Sequence, residues 1–275
     1  MATPPPSRNV CSRLVAHNGA SDATRAIPEE TAVAFTYGSV TFAVMMATPE
    51  HIEDFAAGFS LTEGIIEHTS EIESLDVVPH EQGIEARMLL ASMRDEQLLS
   101  RRRRLAGPAG CGLCGIESLE AAVRVAREVR SELRAGSDVI FSAVASLRKH
   151  QHLNAITRAV HAAGFWSVEE DRFMAVREDV GRHNALDKLA GALARANIDA
   201  KDGFIVLSSR LSIELVQKAA TIGCQMLVAV SAPTNFALRA AEAAGMTLAA
   251  VAREDSFEIF THPWRVVTAV SNETR

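Results

Sequence analysis

FIVLSSRLSIELVQKAATIGCQMLVAVSAPTNFALRAAEAAGMTLAAVA, residues 204–252, holds three short apolar runs: FIVLSS (204–209), MLVAVS (226–231) and MTLAAVA (246–252). Between them lie two amphipathic stretches, 212–222 and 234–244. Apolar runs this short read as strands, and the intervening 3.6-residue periodicity reads as helices. The alternation predicts an α/β layer built on a largely parallel or mixed sheet with flanking helices. Upstream, FMAVRE (173–178) adds a strand and 184–196 a helix, while 143–163 reads as a further helix.

Toward the N-terminus the rhythm differs. TAVAFTY (31–37) and VTFAVMM (40–46) flank Gly38-Ser39, the pattern of a β-hairpin with glycine at the tight turn. Thr48-Pro49-Glu50 offers a helix N-cap, and Ile52, Phe55, Ala56 and Phe59 follow as one apolar stripe. IESLDVV (72–78) and IEARMLL (84–90) are two more strand candidates, so a smaller β-rich lobe precedes the α/β core. A long helix is expected from Glu117, with Leu119, Ala122, Val123, Ala126 and Leu133 on one face. Residues 1–27, rich in proline, serine and small side chains, are expected to form a flexible tail. The expected division is therefore tail 1–27 and domain 28–275, the latter split into an N-terminal lobe (28–110) and an α/β core (111–275).

Bulk properties exclude several functions. The 275 residues carry a formal charge of −6, which argues against a general nucleic-acid binder. The run Arg101 to Arg104 is a local exception, read either as a solvated face or as an anion-attracting patch. No apolar stretch is long enough to span a bilayer, and the N-terminus lacks the apolar core of a secretory signal. Four cysteines are too few for a disulfide scaffold in a chain this long, which points to a reducing, cytoplasmic location.

The sharpest local feature is Gly110-Cys111-Gly112-Leu113-Cys114-Gly115. Thiols three residues apart in a glycine frame fit half a zinc site, a dithiol redox pair or a sulfur-carrying nucleophile. A structural zinc site wants a second such pair, and the sequence has none. Metal is therefore not expected, although two incidental thiols stay open as a reading. Glu178-Asp179-Val180-Gly181-Arg182-His183-Asn184 packs polar groups around one glycine between a strand and a helix, where α/β sheets bind ligands. Its bland alternative is a capping turn with Asn184 as the cap. Ser208-Ser209-Arg210 and Ser231-Ala232-Pro233-Thr234-Asn235 occupy equivalent strand-to-helix positions, where hydroxyls and free N–H groups suit phosphate. His161 invites comparison with zinc deaminases, but position 163 is alanine where their glutamate is needed, which argues against that chemistry.

TPEHIEDFAAGFSLTEGII (48–66), GCGLCGIESL (110–119), EDVGRHNALDKLAG (178–191), SAPT (231–234) and FTHP (260–263) together give the chain a close resemblance to the FdhD/NarQ family of formate dehydrogenase accessory sulfurtransferases. The resemblance covers nearly everything after the expected tail. It implies a cytoplasmic homodimer with a cytidine-deaminase-like core and no deaminase activity. It further implies sulfur taken from a cysteine desulfurase and passed to the molybdenum bis(molybdopterin guanine dinucleotide) cofactor required by formate dehydrogenase. Cys111 matches the family's expected persulfide carrier and Cys114 its helper. Val251, Ala252, Arg253, Glu254, Asp255 and Ser256 align with its dinucleotide-contacting stretch, although Glu254 and Asp255 are acids in a region usually richer in glycine and arginine. The alternative is a chaperone that binds the molybdopterin dinucleotide without moving sulfur.

Overall fold

The computed structural model describes residues 2–91, 126–130 and 132–268. The chain opens with β1 (Ser7–Ala16) and β2 (Gly19–Pro28), followed by β3 (Thr31–Tyr37) and β4 (Val40–Ala47). Helix α1 (Ile52–Thr62), β5 (Ile72–His80) and β6 (Gly83–Leu90) complete the N-terminal part. Then come β7 (Ala135–Gly136), α2 (Ser137–Leu147), α3 (His152–Thr157), β8 (His161–Ser167) and β9 (Arg172–Asp179). Next are α4 (Arg182–Arg195), β10 (Gly203–Leu207), α5 (Ile213–Thr221) and β11 (Met226–Ala229). Helix α6 (Asn235–Ala244), β12 (Thr247–Ala250), β13 (Glu258–Thr261) and β14 (Val266–Val267) close the described chain.

The expected α/β core is present as a six-stranded mixed sheet in the order β13-β12-β11-β10-β8-β9. Its centre, β10-β11-β12, is parallel, as apolar strands alternating with helices require, and β8, β9 and β13 run antiparallel to their neighbours. Leu186, Leu189, Leu215, Val216, Ala237 and Ala241 bring α4, α5 and α6 onto one face. Ile140, Ala143, Val144 and Leu147 bring α2 onto the other. With both faces covered, the central strands need to be apolar throughout, and all five residues of β10 are buried.

The β-rich lobe is a four-stranded sheet, order β4-β3-β6-β5, with the expected 31–37/40–46 hairpin turning at Gly38 (φ 57°). Val33, Phe35, Tyr37, Ile84, Ala86 and Met88 point from it onto α1. Phe35 stacks on Phe59 with ring centroids 4.4 Å apart and meets Phe55 edge-on at 4.9 Å. Burying each such ring contributes roughly 2–3 kcal/mol. Helix α1 is therefore shared, with the small sheet on one side and α4 of the core on the other.

Four readings change. Residues 1–27 hold a hairpin, with β1 and β2 paired from Ser7↔Pro28 to Ala16↔Gly19. Gly19 (φ 138°) permits the turn, and the root is closed by Glu29 N–H donating to the Pro6 carbonyl (2.8 Å) and by an Arg8–Glu29 ion pair (2.6 Å). Composition hid that pairing, because small and polar residues read as disorder. Thr48 does not cap α1: the N-cap is His51 in the left-handed region (φ 56°), and Thr48 is spent on the core instead. The stretch 143–163 is not one helix. It breaks after α2, ends α3 at Arg158 (φ 57°), and starts β8 at His161. Of the helix expected from Glu117, Ala126 lies in residues 126–130 without regular structure; Leu119, Ala122 and Val123 lie outside the described residues, as does the 110/111 lobe boundary.

Candidate functional site

The motif 178–191 does two jobs. Asp179, fully buried at the end of β9, pairs with Lys188 Nζ at 2.6 Å, and both side chains have no exposure. Asp179 also accepts from Thr48 N–H (3.0 Å), Gly181 N–H (2.7 Å) and Asn184 Nδ2 (2.9 Å). Asn184 further donates to the Met46 carbonyl (2.8 Å), Lys188 to the Thr48 carbonyl (2.8 Å), and Val180 N–H to Thr48 Oγ1 (3.1 Å). Burial pushes the Lys188 ammonium below its usual pKa, and Asp179 opposes that shift. A desolvated pair is tolerable only when its remaining valences are met, as they are here. These residues join the lobes, so most of the motif's polarity is structural. Asn184 is not the cap of α4, whose N-cap is Gly181.

A second buried cluster forms around Asp187, the neighbour of Lys188 on α4. Lys218 Nζ of α5 donates to Asp187 (2.9 and 3.0 Å), Glu63 (2.8 Å) and Thr62 (3.1 Å). Burial disfavours this ammonium, but Asp187 and Glu63 outweigh it and hold the pKa above its usual value. Asp54 of α1 meets Arg177 of β9 (2.7 Å) and Arg195 of α4.

What the motif leaves at the surface is Arg182 and His183, both half-buried in the first turn of α4. The sheet topology brings other polar residues to that edge. Strand β8 runs antiparallel to β10, so His161 at its start lies beside Ser208 at the end of β10. Ser208 Oγ accepts from Ala162 N–H (2.8 Å) and Ser208 N–H donates to Ala162 O (3.0 Å). Burial, then the nearby Arg182, lower the His161 pKa. His183 Nε2 is 3.4 Å from Ser212 Oγ and 3.7 Å from Glu214 Oε2 at the start of α5. Burial alone would raise Glu214; the neighbouring His183 and Ser212 and the backbone outweigh it and hold its carboxyl at about 2.

Helices α4 and α5 both begin without a side-chain cap, at Gly181 and Ser212 respectively, so backbone donors remain at this edge. Helix α6 is capped by Thr234, which accepts from Ala237 N–H (3.2 Å). The loop before α6 is tied to the loop before α5 by Leu211 N–H to Ala232 O (3.3 Å) and Thr234 N–H to Leu211 O (2.9 Å).

Residues 251–256 follow β12 on the same edge. Val251 takes φ 54°, unusual for a β-branched residue, and donates to Ser231 O (3.3 Å), while Ala252 donates to Ala229 O (3.0 Å). Arg253 folds back, its Nη1 donating to Val230 O (2.7 Å) and Ala252 O (2.8 Å). Arg253, Glu254, Asp255 and Ser256 are exposed, with Ser256 Oγ donating to Asp255 Oδ1 (3.1 Å). The fold thus brings 251–256, Ser231, Ser208, Ser212, His161, Arg182 and His183 to one sheet edge. Cys111, Cys114 and Arg101 to Arg104 lie outside the described residues. Sequence reading missed Glu214 and its partner Ser212; an acid two residues into a helix after a serine was the available signal. Among the described residues no group of three or more His, Cys, Asp or Glu side chains could hold a metal ion, and no helix is long and apolar enough to cross a membrane.

The profile of the FdhD/NarQ family matches residues 28–267. The sulfur carrier protein FdhD of Agrobacterium fabrum is 53% identical over 245 residues, covering 88% of this chain and 90% of its own. That of Brucella abortus is 48% identical over 262 residues (95% and 97%), and that of Xanthomonas axonopodis pv. citri 45% identical over 276 residues (98% and 98%). A crystal structure of a candidate formate dehydrogenase accessory protein from Desulfotalea psychrophila superposes with TM-score 0.76 at 23% identity, covering 96% of this chain and 100% of that one. That likeness concerns the fold.

Proposed function

The chain belongs to the FdhD/NarQ family, and we propose that it is a sulfur carrier acting in formate dehydrogenase maturation. The observation that carries this reading is the run of relatives named sulfur carrier protein FdhD, 44–53% identical over 88–98% of the chain. Cys111 is the proposed carrier. Its thiolate attacks the terminal sulfur of a persulfide on a cysteine desulfurase; the donor S–S bond breaks, the donor cysteine leaves as thiolate, and Cys111 holds the persulfide. The terminal sulfur then passes as sulfide to the molybdenum bis(molybdopterin guanine dinucleotide) cofactor, which is the substrate here. The bond from that sulfur to Cys111 breaks as the Cys114 thiolate attacks the Cys111 sulfur, leaving the two cysteines as a disulfide. Cys114 acts as helper.

The polar sheet edge supports the second half of this proposal. Free N–H groups at the starts of α4 and α5, the serines 208, 212 and 231, and the Arg182–His183 pair suit a phosphate-bearing ligand. Residues 251–256 adjoin it, and their ordered backbone shapes one wall through Arg253. The direct test is intact-protein mass spectrometry after incubation with a cysteine desulfurase and cysteine. One added sulfur is expected on the wild-type chain and none on Cys111→Ser. Persulfide retained by that variant, together with normal formate dehydrogenase maturation, would overturn the assignment.

A further inference from the structure

The parallel strands have a second edge, where β11 and β12 begin, opposite the one that gathers Ser208, Ser231 and 251–256. Strand β13 runs antiparallel to β12 and ends there, with Thr261 beside Leu248. The chain then turns through His262, Pro263, Trp264 and Arg265 into β14. Thr247, the first residue of β12, ties the turn down, its Oγ1 donating to the His262 carbonyl (2.7 Å). His262 takes the left-handed region (φ 46°) and donates from Nε2 to the Glu242 carbonyl of α6 (3.0 Å).

Arg265 stands apart in that turn. It is only 5% exposed, yet its hydrogen bond among the described residues is a long one, Nη1 to Thr247 Oγ1 (3.3 Å). Its Nε is buried without a partner, and no carboxylate of the described residues pairs with it. Glu242, the acid tied to this turn, faces His262 at 3.7 Å, and its side chain is 64% exposed. The buried lysines are treated differently: Lys188 meets Asp179, and Lys218 meets Asp187 and Glu63. Burial lowers the Arg265 pKa, with no neighbouring acid to oppose it. A desolvated cation without a counter-charge is costly, and an anion beside it offsets that cost. Trp264, 59% exposed, holds its ring 5.9 Å from the guanidinium carbon and forms an apolar wall open to solvent.

We propose that the Trp264–Arg265 turn binds a small carboxylate, of formate or acetate size. One guanidinium matches one negative charge, and its planar fork of N–H donors matches the planar oxygens of a carboxylate. The low exposure of Arg265 limits the occupant: little more than a carboxylate head reaches the guanidinium, with a methyl-sized body left against the Trp264 ring. The site lies at the other end of the strands from the serine-lined edge. It does not rest on the sulfur-carrier reading, and a nucleotide at the serine-lined edge does not fill it.

The test is thermal melting and tryptophan fluorescence of the full chain with sodium formate, sodium acetate or sodium phosphate, ionic strength being held constant with sodium chloride. With formate or acetate the melting temperature is expected to rise by about 2–4 °C once the anion exceeds its Kd severalfold, and emission to change over the same saturating range. Arg265→Gln should abolish both responses. Arg265→Lys keeps the charge and loses the fork, so it should bind at least tenfold more weakly; it decides the matter should the glutamine variant unfold. Trp264→Phe alters an exposed ring, and should keep the melting response while losing the emission change, which assigns the signal to Trp264 and not to the buried Trp166. No saturable response in wild type, phosphate binding as tightly as formate, an Arg265→Lys variant that binds like wild type, or an emission change that survives Trp264→Phe would each overturn the proposal.

Discussion

Gly58 of α1 and Gly191 of α4 face one another without room for a side chain on either: a Cβ on Gly58 would lie 2.6 Å from Gly191 N, and one on Gly191 would lie 2.8 Å from Gly58 N. Each would also run into a backbone carbonyl of the opposing helix, that of Asp187 and that of Asp54 respectively.

Gly58→Ala and Gly191→Ala are therefore expected to destabilise the chain severely, by about 3 kcal/mol or more, because the obstruction is backbone and cannot rotate away. Alanine raises intrinsic helix propensity at both sites, so local preference alone predicts the opposite sign. Urea unfolding of the two variants decides between them.

The Asp179–Lys188 pair predicts an asymmetry. Lys188→Met or Asp179→Asn leaves one buried partner without its counterpart, at a cost of about 3–5 kcal/mol. Replacing both with apolar residues recovers a large part of that loss, although Thr48 and Asn184 then lose acceptors and donors. A double-mutant cycle in denaturant measures the coupling.

Glu214 sets a pH window. Its folded pKa, about 2, lies below the ordinary 4.5, so it contributes stability above pH 4.5 that is lost as the pH falls toward 2. Glu214→Gln is expected to flatten the stability profile between those values and leave the pH dependence above them nearly unchanged. Thermal melts at half-unit pH steps show whether the flattening falls in that interval.

Guanine nucleotide binding is the fourth expectation. GDP should bind more tightly than ADP, and more weakly as salt rises, since backbone dipoles and Arg182 supply much of the attraction. Glu254→Gln with Asp255→Asn should strengthen binding a few-fold by removing two exposed acids beside the site. Calorimetric titration gives all three comparisons. Equal affinity for GDP and ADP would reduce the edge to a generic phosphate cradle.

Periodic apolar segments were the legible part of this sequence. The runs in 204–252 became β10, β11 and β12 with the intervening helices α5 and α6, because strands covered on both faces must be apolar. β8 was misread because His161–Ser167 contains two alanines and a glycine, and only its pairing between β9 and β10 makes it a strand. The hairpin arm escaped for a similar reason: its composition resembles a solvated tail, and cross-strand register carries the structure. In the motif 178–191, spacing marked an unusual cluster but could not divide it. Which polar groups turn inward depends on Thr48 and Thr62, more than a hundred residues away in sequence.

The ties of α1 also bear on synthesis. Asp54 leaves the ribosome well before its partners, since Arg177 lies 123 residues later and Arg195, at the end of α4, 141 residues later. At about 5–20 residues per second, that interval is roughly 6–25 s. Through it the nascent N-terminal lobe keeps Asp54, the Thr48 amide and the Gly58 face of α1 in contact with water, without the partners that later bury them. The lobe therefore completes its final contacts only once β9 and α4 have emerged.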